Sequence, residues 1–513
     1  MQIILSKFRN EVQLMKKEKR KNLFVIPLSF LGFSITMITT GCSLFTGNRS
    51  DNWFNFVNPY KPKTEQKNNN QAHLENTVPK NTPYEIINKL SFSLIISNRG
   101  GRNDNDKFGE TEERRGPYFA YGTGWLFDYN RDRSENADGS FNWTGYFATN
   151  LHVANSILNP NETNPNYLAP AFKNPLWKNS DYTQSFYLNR YDPNLHEESS
   201  KPSDPFLPRT EPRVHGVKLT YIPTTQFAAI GLQNEATTLE GNRFYLDFAV
   251  LKVVIRFTKN PSTLSELAED LLYESWIKPA VKTLDDYYFN QNVSFFDTTN
   301  YLQSGLSNIN GYIGGYPVKD SRNGFSAKPV WTINADHNAK QFDGQPIDNS
   351  GTSGFERVTN SPINGLINNT SVPNFTFNFR GEKYHKTGVS YYVKNSNLGG
   401  GSSGSVLLAQ NTRTKKTAQA LGIYFGTLAS QEGGESSYGF ADALFLNTNT
   451  NNKNIYKNQG LFSYDLINGK NQSYKASLGP DEDTKMFPKS DNDIQTMKRN
   501  NFCNYLFFNN DQN

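Results

Sequence analysis

Three short strings supply, in chain order, an imidazole, a carboxylate and a hydroxyl: Thr149-Asn-Leu-His152-Val-Ala, Leu246-Asp247-Phe-Ala-Val-Leu-Lys-Val and Gly399-Gly-Gly-Ser-Ser403-Gly-Ser. A serine hydroxyl is a weak nucleophile until a positioned histidine accepts its proton. The histidine in turn needs a carboxylate to fix its tautomer and to stabilise the imidazolium that forms. Residues of these types would support acyl transfer, with His152 as base, Asp247 as its partner and Ser403 as nucleophile.

The local setting separates these residues from others of their kind. Of six histidines (His73, His152, His196, His215, His337 and His385), only His152 directly follows a strand-like run, Gly145-Tyr-Phe-Ala-Thr149. A glycine-rich hairpin, Tyr121-Gly-Thr-Gly-Trp-Leu-Phe127, precedes that run. Asp247 stands inside the apolar strand Phe244-Tyr-Leu-Asp-Phe-Ala-Val-Leu251. A carboxylate there is costly to bury without a partner, and a histidine Nδ1–H is a natural one; a solvent-facing edge strand is the alternative. Glycine and serine runs are usually linkers. Here, however, the run leads into Val406-Leu-Leu-Ala409 and Ala420-Leu-Gly-Ile-Tyr-Phe-Gly426, two buried-strand patterns. Its glycines let the backbone turn so that the N–H groups of Gly401 and Ser403 face a developing oxyanion.

The elements that must position these groups read mainly as β. Runs bounded by Gly, Asn and Asp and rich in β-branched and aromatic residues occur at 91–96, 124–127 and 145–149. Further strands are predicted at 214–222, 226–233, 244–257, 310–317, 376–380, 388–394, 404–410 and 418–427. One helix is predicted, opened by the capping box Thr263/Glu266 and continued by Leu264, Leu267, Leu271 and Leu272 at helical spacing. Pro279 is expected to end or kink it. His152 and Asp247 are 95 residues apart and Asp247 and Ser403 are 156 apart, which implies large insertions near 155–212 and 258–308.

At the N-terminus, Lys16, Lys17, Lys19, Arg20 and Lys21 precede an apolar run from Leu23 to Thr40 that ends in Gly41-Cys42. That is the pattern of an export signal over residues 1–41, and Met15 opens a more conventional one than Met1. An uncleaved membrane-spanning helix over 23–40 is the other reading. Residues 42–82, rich in Asn, Lys, Pro and Thr, read as a flexible tether. The folded body is predicted over 83–470, followed by a polar tail, 471–513, with an aromatic patch at Phe502–Phe508.

Composition narrows the class. Aromatics at 14%, including 37 Phe and 27 Tyr, can build a sizeable core. The net charge of +5 is small for 513 residues and spread along the chain, which argues against nucleic acid as a partner. Metal-ligand clusters, phosphate loops and dinucleotide fingerprints are not seen, so neither metal nor cofactor is expected. Cys503 is the one cysteine besides Cys42. With Cys42 lipidated no intramolecular disulfide could form, and stability would rest on core burial.

The order His, Asp, Ser resembles that of the chymotrypsin-type double β-barrel. Gly401-Ser-Ser403-Gly-Ser405 is similar to the nucleophile motif of trypsin-like enzymes, and Gly311-Tyr-Ile-Gly-Gly-Tyr-Pro317 to the turn that opens their second barrel. Gly41-Cys42 resembles a bacterial lipoprotein signal with a relaxed lipobox, since Thr39 stands where an aliphatic residue is usual. Together these features resemble the mycoplasma surface lipoproteins with a diverged trypsin-like peptidase domain, a family that includes the mycoplasma immunoglobulin proteases. The resemblance implies a mainly β, double-barrel serine endopeptidase with helical and loop insertions, anchored outside the cell by lipid on Cys42. It implies His152, Asp247 and Ser403 as catalytic residues and Gly401 and Ser403 as oxyanion donors. By the same resemblance Asn397, six residues before the nucleophile, and Gly426 would form the specificity pocket. The implied partners are a protein substrate, with host immunoglobulin as the candidate the family offers, and a second protein that captures it. A catalytically inactive adhesin or binding lipoprotein on the same fold is the alternative.

Overall fold

The computed structural model describes residues 82–98, 118–132, 134–170, 183–190, 216–220, 225–233, 243–258, 266–299, 309–316, 330–331, 341–342, 345–346, 361–368, 376–394, 398, 400–411, 413–414, 416–428, 438–448, 461–470, 472–480 and 482–489. Cys42, Asn397, Cys503 and the Phe502–Phe508 patch lie outside these residues, as do the export signal and nearly all of the predicted tether.

The chain is mainly β. In order it forms helix α1 (Thr82–Leu90), β1 (Ser91–Asn98), β2 (Tyr118–Tyr129), β3 (Phe141–Thr149), the single turn α2 (Leu151–Ala154), β4 (Thr183–Asn189), β5 (Gly216–Thr220), β6 (Thr225–Gln233) and β7 (Phe244–Thr258). There follow α3 (Lys278–Leu284), β8 (Ile309–Gly315), β9 (Ser361–Asn368), β10 (Thr376–Phe379), β11 (Glu382–Lys386), β12 (Val389–Lys394), β13 (Val406–Asn411), β14 (Gln419–Leu428), β15 (Tyr438–Ala443) and the short α4 (Tyr474–Ser477).

Two sheets organise these strands. The first runs β10-β11-β7-β3-β2-β1-β4-β5, with β6 also on β7. No pairing among the described residues joins its two ends, so this sheet is open where a barrel was expected. The second runs β8-β9-β12-β15-β14-β13, and β13 pairs in turn with β8. The predicted run at 121–127 is no hairpin but the interior of β2, which pairs antiparallel with β3 as Trp125 opposite Ala148.

Burial explains where the sheets meet. In β7 the first eight residues, Phe244 to Leu251, are buried on both faces, and from Lys252 onward buried and half-buried residues alternate. A strand packed on both sides reads as a continuous apolar run, whereas a half-exposed one alternates. The Asp247 half of β7 is therefore the enclosed half. Aromatics fill the core as the composition suggested: Phe92 meets Phe147 edge-on at 5.4 Å, Tyr84 of α1 meets Tyr312 at 5.3 Å, and Phe127 meets Tyr474 at 4.9 Å.

Three elements depart from expectation. Thr263 and Leu264, which open the predicted helix, lie outside the described residues; Glu266–Ala268, the next part of it, is instead a short strand parallel to the end of β7. Ladder hydrogen bonds from an open sheet edge outweigh the local preference of a capping box there. Helical structure begins at Glu269 with a π-helical stretch, continues as α3 and ends as a second π stretch at Phe289. Pro279 neither ends nor breaks it, because the residue falls at the junction where the π-helical stretch gives way to α3, so the change of hydrogen-bond register coincides with the N–H that proline lacks. Finally, the tail expected from 471 begins with packed chain: Tyr474 and Met486 are buried against the first sheet.

Candidate active site

The His152–Asp247 pair follows from strand register. β3 and β7 are antiparallel with Thr149 opposite Ala249, so the chain leaving β3 at Leu151 stands beside Asp247. It then turns into α2, whose four residues are all buried. That turn presents both the backbone and the ring of His152 to one carboxylate. The His152 amide donates to Asp247 Oδ1 at 3.0 Å, and His152 Nδ1 lies 2.6 Å from Asp247 Oδ2. Asn150 does not cap the turn with its side chain; its Nδ2 donates to the Asp247 carbonyl at 2.7 Å.

Burial alone would push the Asp247 carboxyl up, but the His152 imidazole, supported by the Lys386 ammonium, outweighs it and holds the pKa below the ordinary value. Asp247 is therefore an anion at neutral pH. With Nδ1 committed to that anion, His152 presents Nε2 on its other side, and Nε2 is buried without a hydrogen-bond partner.

The serine turn around Ser403 is built by close backbone approach. Gly401 and Gly404 have φ of +92° and +96°, in the left-handed region that glycine tolerates. A Cβ on Gly404 would stand 2.0 Å from the Thr123 carbonyl oxygen and 2.4 Å from Thr149 Oγ1. The Ser403 carbonyl accepts from the Thr123 amide at 2.8 Å, and Thr149 Oγ1 donates to the Thr123 carbonyl at 2.8 Å. The turn thus rests against the end of β3, three residues before His152. Gly315 completes the seat from β8, since a Cβ there would fall 2.2 Å from Ser405 Oγ.

Ser403 Oγ itself donates to the Phe425 carbonyl at 3.4 Å, not to His152. Phe425 belongs to β14 beside Gly426, the expected pocket wall, which is buried. Among the described residues no group of three His, Cys, Asp or Glu is placed to hold a metal ion.

Several residues around the pair carried no sequence assignment. Thr123 bridges three segments, since its Oγ1 donates to the Gly401 carbonyl at 3.1 Å and accepts from the Tyr316 amide at 3.0 Å. Asp442 Oδ2 accepts the Asp247 amide at 3.2 Å. The string Tyr438-Gly-Phe-Ala-Asp442-Ala, an aspartate in an apolar run, bears the same signature as Asp247 and could have flagged it. Lys386, inside Glu-Lys-Tyr-His-Lys, offers no such signal.

These features define a mainly β protein with a buried histidine hydrogen-bonded to an ionised aspartate and a serine turn seated at the end of the histidine strand. The chain belongs to the mycoplasma immunoglobulin protease family, whose model matches residues 81–426. It is 31% identical to an uncharacterized lipoprotein of Mycoplasmoides gallisepticum, over 88% of this chain and 85% of that one. It is 26% identical to an uncharacterized lipoprotein of Mycoplasma pneumoniae, over 72% of this chain and 77% of the other. A solved structure of the mycoplasma MIB and MIP proteins aligns with 74% of this chain and 61% of its own, at 16% identity and a TM-score of 0.40. Among the described residues no helix is long and apolar enough to cross a membrane.

Proposed function

We propose that the chain is a lipid-anchored serine endopeptidase. One observation carries the reading: His152 Nδ1 is locked to an ionised Asp247 while its buried Nε2 has no partner. Unpartnered buried polar atoms are costly, and a general base waiting for a serine proton is a reason to keep one. In the proposed reaction Ser403 Oγ attacks the substrate carbonyl carbon and passes its proton to Nε2. Asp247 stabilises the imidazolium, and the amides of Gly401 and Ser403 receive the oxyanion. Collapse returns the proton to the departing amine, and water then releases the acyl group by the same route.

The family's name supports immunoglobulin as the protein substrate; a second protein that presents it is proposed on the sequence resemblance alone. The ring of pairings in the second sheet supports a diverged double barrel whose first half is open. Cys42 is proposed as the lipidated residue, with the body outside the cell. Asn397 and Gly426 are proposed for the pocket, where a neutral base favours neutral side chains over Lys or Arg. Both extensions have direct readouts: Cys42→Ser loses lipid labelling, and peptide profiling returns neutral residues before the cut, with cleavage confined to Lys or Arg refuting the pocket.

A second reading, a binding lipoprotein without activity, has one observation in its favour. Ser403 is 1% exposed and its hydroxyl is engaged by Phe425. The proposal therefore requires the hydroxyl to turn toward Nε2 as substrate enters. A fluorophosphonate probe decides between the two: the enzyme is labelled at Ser403 and the Ser403→Ala variant is not, whereas a folded wild-type chain that takes no label is the binding protein.

A further inference from the structure

Behind Asp247 lies a second charge pair. Lys386 Nζ is 2.9 Å from Asp442 Oδ2, and both side chains are 0% exposed. Lys386 ends β11, which pairs parallel to β7 with Lys386 opposite Tyr245, while Asp442 lies on β15 of the other sheet. The pair therefore joins the two sheets. Asp442 divides its carboxylate: Oδ1 accepts from Ser390 Oγ at 2.6 Å, and Oδ2 accepts the Asp247 amide at 3.2 Å. The ammonium sits 3.4 Å from the centroid of the Phe425 ring, the residue whose carbonyl receives Ser403 Oγ.

A fully buried ion pair is a poor source of stability, because desolvating both charges offsets most of their attraction. Here it has a second consequence. The hydrogen bond from the Asp247 amide brings two carboxylates, Asp247 and Asp442, into one enclosed region. Two anions so placed discourage each other's ionisation. Lys386 is the cation that offsets the excess. Among the described residues the other titratable groups facing this region are Tyr245 and Tyr464, both kept neutral because burial pushes their hydroxyls up. Apart from His152 itself, the charge balance rests on Asp247, Asp442 and Lys386.

We propose that Lys386 and Asp442 are positioning residues of the His152–Asp247 pair, Asp442 by fixing the Asp247 backbone and Lys386 by balancing the charge of the two carboxylates. The catalytic meaning of this rests on the endopeptidase reading; the electrostatic coupling to His152 does not.

The test is the titration midpoint of His152 in the full chain carrying 13C-labelled histidine, with its signal identified by loss in His152→Gln. Lys386→Gln removes a cation that repels the imidazolium, so the midpoint rises by about one pH unit. Asp442→Asn removes an anion that attracts it, so the midpoint falls by about as much. The double variant returns to within about 0.3 units of wild type, since no net charge is removed. A merely structural pair predicts no such opposite shifts. Equal midpoints in all four proteins, or singles that move the same way, overturn the proposal.

If one single variant fails to fold, the other must still move in its stated direction and the double must still return. If neither folds, Ser390→Ala decides: it keeps both charges but removes the hydroxyl that shields Asp442, raising the midpoint by roughly 0.3 units, and no rise overturns the proposal. Fluorophosphonate labelling of the same proteins separates the two claims. Shifts as stated in an unlabelled chain sink the endopeptidase reading and leave the positioning intact.

Discussion

Two aspartates are buried in neighbouring parts of the first sheet, and their protonation behaviour is opposite. Asp247 on β7 has a histidine ring at 2.6 Å and a lysine further off, and its pKa is held down. Asp128 on β2 has only neutral donors: the amides of Tyr129 and Met486 at 2.8 and 3.0 Å, the Tyr474 hydroxyl at 2.9 Å and the Thr484 side chain. Burial dominates there, and its pKa is pushed up to about 7 in spite of hydrogen bonds that lower it. Hydrogen bonds from neutral groups can position a buried carboxyl, but opposite charge is what keeps it ionised. Asp128 thus fastens the segment around Tyr474 and Met486 to the back of the sheet, whereas Asp247 is prepared to support a cation.

The contrast can be broken most severely at the serine turn. Gly404→Ala places a methyl against the Thr123 carbonyl and Thr149 Oγ1 at a φ of +96°. The expected cost is roughly 3 kcal/mol of stability from overpacking and backbone strain. Fluorophosphonate labelling should fall to background, because the turn cannot keep its seat beside β3. Chemical denaturation together with labelling checks this, and a variant as stable and as reactive as wild type would mean that the turn is not seated there.

A smaller effect is expected at Asp128. Its folded pKa of about 7 lies above the ordinary 3.8, so between those values the folded chain holds a proton that the unfolded chain releases. Stability from this group is therefore greatest at acid pH, declines as pH rises from about 4 to about 7, and is flat above. Asp128→Asn keeps a neutral side chain at every pH. The variant should be more stable than wild type at pH 8 by on the order of a few kcal/mol, with the difference shrinking toward pH 4. Thermal melting across that range reads it, and a stability difference between variant and wild type that is the same at both ends would show that the Asp128 pKa is not raised in the fold. Labelling at Ser403 should be unaffected.

Sequence context alone did not distinguish these two aspartates. Leu126-Phe-Asp128-Tyr and Tyr245-Leu-Asp247-Phe are the same kind of string, and only the order of histidine, aspartate and serine singled out the second. The three strings were legible because each places a reactive side chain at a break in an apolar strand pattern. Lys386 was not, because a lysine in a short polar run looks solvent-exposed until the end of β11 is seen paired to the buried half of β7. The capping box at Thr263 was misleading for the converse reason, as an open sheet edge recruited Glu266–Ala268 first. Pairing across a sheet depends on residues far away in sequence, and local pattern carries no trace of it.

The central claim is that an ionised Asp247 makes His152 a base for Ser403. Its most direct test is the fluorophosphonate labelling rate of Ser403 in wild type and in Asp247→Asn at neutral pH. The asparagine keeps the size and backbone of the site but cannot hold the tautomer or the charge. The account predicts a rate lower by a factor on the order of 1,000 to 10,000, with Asp128→Asn labelled as fast as wild type. Equal labelling rates in Asp247→Asn and wild type would contradict it.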